Sequence, residues 1–185
     1  GRNIVGRVYV VFGSADRAPV LDLAAGGADW TFRGAGREAR LGSAVVAGDL
    51  GGDATADLVM GSLLADPSGQ IDGGAVYVVF GGPGVGGDVD LATMPTAVDV
   101  LYAGDNRTLD NDQLGTDAVL GDFNADGQRD LAVAASNRGD GRGAIFTWWG
   151  PLIRGSGANL RYNTADWTIV GAQDYGWFGS NLTMP

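Results

Sequence analysis

The chain has 185 residues, enough for one sizeable domain, and carries a formal charge of -10 with a pI near 4.2. Its 12 basic residues are all Arg, its 22 acidic residues are all Asp except Glu38, and it has no Lys, His or Cys. These absences exclude His- or Cys-based nucleophilic catalysis, thiolate or imidazole metal sites, Schiff bases and a phosphate-loop lysine, while the acidity opposes binding to nucleic acid or anionic lipid. Paired carboxylates and oxygen-ligated hard cations remain. Hydrophobic residues at 45% describe a chain that can bury a core. The 33 Gly are more than double the usual share of about 7% and point to many tight turns between short strands. No apolar run reaches the roughly 20 residues of a membrane helix, so no membrane insertion is expected. The start, Gly1-Arg2-Asn3-Ile4-Val5, shows neither Met nor a signal pattern, as expected of a mature or trimmed piece.

In chain order, the first predicted strand is the run Arg7-Val8-Tyr9-Val10-Val11-Phe12 between Gly6 and Gly13, and the second is Trp30-Thr31-Phe32-Arg33. Leu41 to Asp49 and Asp57 to Gly61 follow. The first run then returns as Ala75-Val76-Tyr77-Val78-Val79-Phe80, the second as Val100-Leu101-Tyr102-Ala103, the third as Leu114 to Asp122 and the fourth as Asp130 to Ala134. A last round gives Ala144-Ile145-Phe146-Thr147-Trp148-Trp149, then Trp167-Thr168-Ile169-Val170, and the opening of a further copy at Phe178-Gly179-Ser180-Asn181-Leu182. Each run is rich in β-branched or aromatic residues and is bounded by Gly, Asp or Asn, which is the pattern of a strand. No stretch keeps a helical apolar period beyond about two turns.

Equivalent runs lie about 70 residues apart, with four strands in each period. Four short antiparallel strands per repeat predict an all-β fold, a segment of a β-propeller built from four-stranded antiparallel blades. The expected division is strands 3 and 4 of a partial blade in 1–40, full blades in 41–113 and 114–177, and the first strand of another in 178–185. Blade faces and strand edges left open by that division call for further blades of the same chain or a protein partner.

The segment Leu114-Gly115, then Gly121-Asp122-Phe123-Asn124-Ala125-Asp126-Gly127-Gln128-Arg129-Asp130-Leu131, then the Gly-bounded aromatic strand, resembles the FG-GAP repeat of integrin α-subunit propellers and of many bacterial surface proteins. The resemblance covers nearly the whole chain and extends to the Leu21-Asp22-Leu23 and Val89-Asp90-Leu91 links between strands 3 and 4. It departs from the family where Gly61-Ser62-Leu63 and Ala134-Ala135-Ser136 replace the "GAP" triplet and where Leu precedes Gly42 and Gly115. It implies an extracellular or cell-surface module for adhesion or protein assembly, with ions that brace the blades.

The strand 1-to-2 hairpin of the second full unit carries the chemistry. Asp122, Asn124 and Asp126 place side-chain oxygens at positions 1, 3 and 5, Gly127 permits the turn at 6, Gln128 offers its carbonyl at 7, and Asp130 can close the shell at 9. Ca²⁺ takes 6 to 8 oxygens of this kind. An EF-hand is rejected, because position 12 is Val133 rather than Glu and the flanks are strands. The equivalent loop keeps Asp49, Asp53 and Asp57 with Thr55 at 7, but has Gly51 at 3 and Ala54 at 6. It lacks one ligand, and an Ala forced to positive φ costs about 1 kcal/mol. The Asp122 loop is therefore expected to bind calcium more tightly.

Trp30, Trp148, Trp149 and Trp167 fall on strands and are expected to pack between blades. Tyr175 and Trp177, in a 4-to-1 connection, are the candidate surface anchors for a ligand. Asp105, Asn106 and Arg107 read as a solvated turn. Because the clustered Asp residues sit in the two hairpins, no separate carboxylate pair is left for acid catalysis, and the segment is not expected to be an enzyme. A carbohydrate-binding propeller and an accessory domain of a secreted hydrolase are the alternatives to adhesion.

Overall fold

The computed structural model describes residues 4–67, 71–104, 111–157 and 165–184. Eleven strands are formed: β1 (Arg7–Val10), β2 (Trp30–Arg33), β3 (Leu41–Gly48), β4 (Asp57–Ser62), β5 (Ala75–Val79), β6 (Gly87–Asp90), β7 (Val100–Ala103), β8 (Leu114–Gly121), β9 (Asp130–Ala135), β10 (Ala144–Trp148) and β11 (Trp167–Val170). They make two four-stranded antiparallel sheets, β3-β4-β5-β7 and β8-β9-β10-β11, and a three-stranded sheet, β1-β2-β6. The fold is all-β, as expected of propeller blades.

Alternation along the inner strands explains how the sheets stack. In β4, Leu58 and Met60 point toward the first sheet, with Val8, Trp30 and Phe32, while Val59 between them joins Leu131, Val133 and Phe146 of the third sheet. In β5, Tyr77 and Val79 take the first side and Val76 and Val78 the second. Successive side chains of a strand face opposite sides. The middle sheet is thus buried on both faces, so its strands read as continuous apolar runs. Each such Val or Leu contributes about 1.5–3 kcal/mol by leaving water, and Phe146→Ala would remove about 3–5 kcal/mol.

The Leu-Gly pair that opens β3 and β8 is a register device. Pairing with the next strand shifts between Leu41 and Val45, and again between Leu114 and Ala118, and Gly42 and Gly115 inside the shifts have φ of 94° and 89°. The bend lets the sheets approach closely. A Cβ on Gly61 would lie 2.3 Å from the Gly115 carbonyl oxygen, and the Ser43 hydroxyl donates to that oxygen at 2.7 Å.

Two features depart from the sequence expectation. The Val89-Asp90-Leu91 link forms part of a strand, β6, which runs parallel along β2 of the preceding unit, pairing Trp30 with Gly87 and Arg33 with Asp90. Conversely, the strand expected to open at 178–185 is absent among the described residues, where 178–181 is turn and bend and 182–184 has no regular structure. Phe178 still takes the place of a unit's first residue: a Cβ on Gly143 would meet its carbonyl oxygen at 2.2 Å, as Gly74 would meet that of Leu114 at 2.3 Å. Unlike β3 and β8, it has no following strand among the described residues to complete a ladder, and Leu182 instead donates its N–H to Asp117 Oδ2 at 2.7 Å.

Candidate metal hairpins and comparison with known proteins

The β8–β9 hairpin is folded by its own carboxylates. Asp122 accepts the N–H of Asp126 at 3.1 Å and of Gly127 at 2.9 Å, Asn124 Oδ1 accepts the Asp126 N–H at 3.0 Å, and Asp126 Oδ1 accepts that of Gln128 at 2.8 Å. The Asn124 amide donates to Asp126 Oδ2 at 2.9 Å. Asp122, Asn124 and Asp126 are therefore gathered in one bend, where ring-closing bonds of this type hold turns.

Asp130 is spent differently. It is fully buried, and its two oxygens accept the N–H of Phe123 at 2.7 Å and of Gly150 at 2.9 Å, tying the hairpin to the end of β10. The β3–β4 hairpin repeats the plan. Asp49 accepts the N–H groups of Gly52, Asp53 and Ala54, Asp53 accepts that of Thr55, and buried Asp57 accepts those of Leu50, Gly51 and Gly81. A carboxylate at position 9 in both hairpins is thus a latch between strands.

The fit to calcium is narrower than nine positions suggest. Among the described residues no three carboxylates converge on one point. What the β8–β9 bend offers is two carboxylates, Asp122 and Asp126, with the Asn124 amide. Each carboxylate oxygen that accepts one N–H keeps a further lone pair, and hard oxygen donors suit Ca²⁺. The β3–β4 bend offers Asp49 and Asp53 alone, because Gly51 has no side chain. The Gln128 side chain lies toward the neighbouring hairpin, where its Oε1 would be 3.5 Å from a Cβ on Gly52.

The backbone strain expected only at Ala54 is shared. Ala54 has φ of 64° and Gly52 of 76°, while Ala125 has φ of 63° and Gly127 of 86°. Positions 4 and 6 are left-handed in both hairpins, with Gly and Ala exchanged, so strain does not separate them.

The two hairpins lie side by side, and Arg129 reaches from the second to the first. Desolvation pushes the Asp49 carboxyl up, but N–H bonds from Ala54, Gly52 and Asp53 and the Arg129 charge outweigh it and hold the pKa below the ordinary carboxylate value.

At the other end, the turn at 138–142 touches the 4-to-1 connection at 172–177. Tyr175 and Trp177 donate their N–H groups to the Asp140 and Gly141 carbonyls, and Arg142 pairs with Asp174 at 2.8 Å. Both aromatics are exposed, at 75% and 47%, on left-handed backbone. The turn expected at Asp105, Asn106 and Arg107 lies outside the described residues. Of the tryptophans, Trp30 and Trp148 are buried between sheets, whereas Trp149 and Trp167 stack on each other with ring centres 6.3 Å apart and Trp167 half exposed.

A cavity of about 670 Å³ opens between the first and middle sheets, lined by Phe12, Trp30, Ala47, Ala56 and Val85 among others. Between the middle and third sheets, where Leu120 and Arg129 stand in the places of Ala47 and Ala56, a smaller cavity of about 390 Å³ is lined by Gly51, Asp53, Phe80, Leu152, Ile153 and Arg154.

One functional set escaped the sequence reading. Asp29, Asp99 and Asp166, each directly before the outermost strand of its unit, accept the N–H of Phe12, Phe80 and Trp149 at 2.7, 2.7 and 2.8 Å. Their signal was visible as an Asp preceding Trp30, Val100 and Trp167.

Residues 114–148 match the FG-GAP repeat family. Phosphatidylinositol-glycan-specific phospholipase D of Rattus norvegicus is 30% identical over 187 residues, and that of Homo sapiens is 27% identical over 186 residues; each alignment covers 98% of this chain. The chain spans 21% of the length of these relatives. The matched unit is built on β8, β9 and β10, so residues 114–148 form an FG-GAP repeat within sheets stacked face to face as blades.

Proposed function

We propose that the chain is a calcium-braced, non-catalytic assembly segment of an extracellular propeller. The observation that carries this reading is the β8–β9 bend, in which Asp122, Asn124 and Asp126 are gathered while Asp130 is withdrawn as a latch. In the bend, calcium would be held by the carboxylates of Asp122 and Asp126, the Asn124 amide and the Gln128 carbonyl, offsetting the repulsion between the two carboxylates. The clustered aspartates all bond backbone N–H groups, which supports an architectural rather than an acid-base role. The relatives named as phospholipase D favour one form of this reading: an accessory, protein-contacting part of a larger secreted hydrolase, with Tyr175 and Trp177 on its exposed end.

Titration calorimetry and thermal melts with calcium test the reading. Sites of extracellular strength have dissociation constants of about 10⁻⁴ to 10⁻³ M, so millimolar calcium should add about 0.4 to 1.4 kcal/mol. Asp126→Ala should abolish most of that gain and Asp53→Ala less. An absent calcium response in the parent chain, or equal losses in the two variants, would refute it.

A further inference from the structure

The three aspartates before the outermost strands define three equivalent slots, of which two are filled. At the first, Arg17 pairs with Asp29 at 2.7 Å, and the Gly87 N–H donates to the Asp29 carbonyl at 3.0 Å as β6 starts along β2. At the second, Arg154 pairs with Asp99, its guanidinium sits 5.1 Å from the Phe80 ring centre, and the Gly155 N–H donates to the Asp99 carbonyl at 2.6 Å. Beyond it the Gly157 backbone lies against that of Leu101 in β7. In both slots the strand 3-to-4 link of the following unit meets the outer edge of the preceding sheet, as the paired strand β6 at the first and as a turn at Ile153 to Ser156 followed by Gly157 at the second. The arginine comes from the first unit's own link at the first slot and from the following unit's link at the second.

The third slot has the same walls and no occupant among the described residues. Asp166 has no cation partner there, and Trp149 and Trp167 present a stacked aromatic pair where Phe80 stands in the second slot. Because Gly171 donates to the Gly143 carbonyl, Trp167 and Ile169 bond toward β10, and Thr168 and Val170 turn their N–H groups outward. An open row of this kind is a template for another strand.

We propose that the outer edge of β11 is a docking edge for the strand 3-to-4 link of a following FG-GAP unit, running parallel to β11 with an Arg-Gly pair seated as Arg154-Gly155 is. The arginine bonds Asp166 and lies over Trp149, and the glycine N–H caps the Asp166 carbonyl. Two observations fix the source of the occupant. Both filled edges meet the link of the unit that comes next in sequence, as a strand along β2 and as backbone contacts of Gly155 and Gly157 along β7, and Phe178 already occupies the first position of that next unit against Gly143. Main-chain pairing supplies the affinity of such an added strand, and the arginine supplies its register. This inference rests on the blade fold and is independent of calcium.

The test adds the peptide Gly-Pro-Leu-Ile-Arg-Gly-Ser-Gly, the sequence of residues 150–157, to the full chain and follows amide exchange. Millimolar peptide should slow exchange at Thr168 and Val170 at least tenfold while leaving Ile169 unchanged, and replacing its Arg by Gln should weaken binding at least fivefold. Asp166→Asn in the chain should abolish that difference between peptides. No slowing, equal binding of the two peptides, or tighter binding in Arg161→Gln, which would mean that the chain's own arginine fills the slot, would each overturn it. Protection that rises with chain concentration and no peptide would assign the edge to a second copy and also overturn it.

Discussion

The two four-stranded units, β3-β4-β5-β7 and β8-β9-β10-β11, use one hairpin frame with different side chains on it. Both put a carboxylate at position 1 to fold the bend and one at position 9 to latch it to the end of the third strand. Both hold positions 4 and 6 left-handed. They differ at position 3, where Asn124 stands in place of Gly51, and in what surrounds them: Leu120 and Arg129 stand at one sheet boundary, beside a cavity of about 390 Å³, where Ala47 and Ala56 line one of about 670 Å³ at the other. The frame is therefore a folding device first. The one extra oxygen donor of the second bend is a single side chain, Asn124.

The strongest way to break the parallel is to cut the latches. Asp57 and Asp130 are buried acceptors, and removing either strands backbone N–H groups away from water, at about 1–3 kcal/mol for each group left unpaired. Asp57→Ala and Asp130→Ala should each cost roughly 3 kcal/mol or more in urea unfolding. Asp57→Ala should cost more, since three N–H groups lose their acceptor rather than two. Equal stability of either variant to the parent would return position 9 to the metal shell.

The latches also show what was legible in the sequence. The strands were, because alternation and Gly boundaries are local, and so was the stacking of sheets, because Leu58 to Gly61 of β4 and the run Ala75 to Val79 of β5 carry no charged residue on either face. The role of Asp130 was not. An Asp at position 9 can turn inward to an ion or outward to Gly150, and that choice depends on where a strand 20 residues away ends. Nor was β6 legible: four residues with two charges pair only because β2 of the preceding unit offers an edge. Ala125 gave no sign of its positive φ, since Ala carries no preference for it.

The sheet boundaries give the next largest effect. A methyl on Gly61 would have to displace the Gly115 carbonyl, whereas the equivalent Ala134 meets Gly179 with its Cβ 3.1 Å from a Cβ built there. Gly61→Ala should cost about 1–3 kcal/mol by overpacking. The reverse change, Ala134→Gly, should cost about 0.5–1 kcal/mol through chain entropy. Comparable melting temperatures for Gly61→Ala and the parent would show that the sheets can part without loss.

Exchanging Gly and Ala within the hairpins sharpens the equality of strain. Gly52→Ala and Gly127→Ala should each destabilise by about 1 kcal/mol, because each would put a second Cβ into the left-handed region. The measurement is denaturant midpoint at unchanged slope. A cost confined to Gly127→Ala would restore position 6 as the strained one.

The smallest expected effect separates the hairpins by charge. The Asp49 pKa is depressed because the N–H bonds of Ala54, Gly52 and Asp53 and the Arg129 guanidinium outweigh the desolvation that raises it. The unfolded chain titrates this group near the ordinary value of about 3.9. A depressed folded pKa means that the folded state releases the proton more readily than the unfolded one. The stabilisation is thus complete above the unfolded pKa and is lost as pH falls through the folded one. A carboxyl-detected NMR titration should place the Asp49 midpoint below 3.9, and Arg129→Gln should raise it without moving it to the unfolded value, since the three N–H bonds remain. Added salt should reproduce part of that rise, because the pair is exposed and screened. A midpoint unmoved by Arg129→Gln would mean that the second hairpin does not reach the first through charge, leaving only the backbone bonds of its own bend to set the acidity of Asp49.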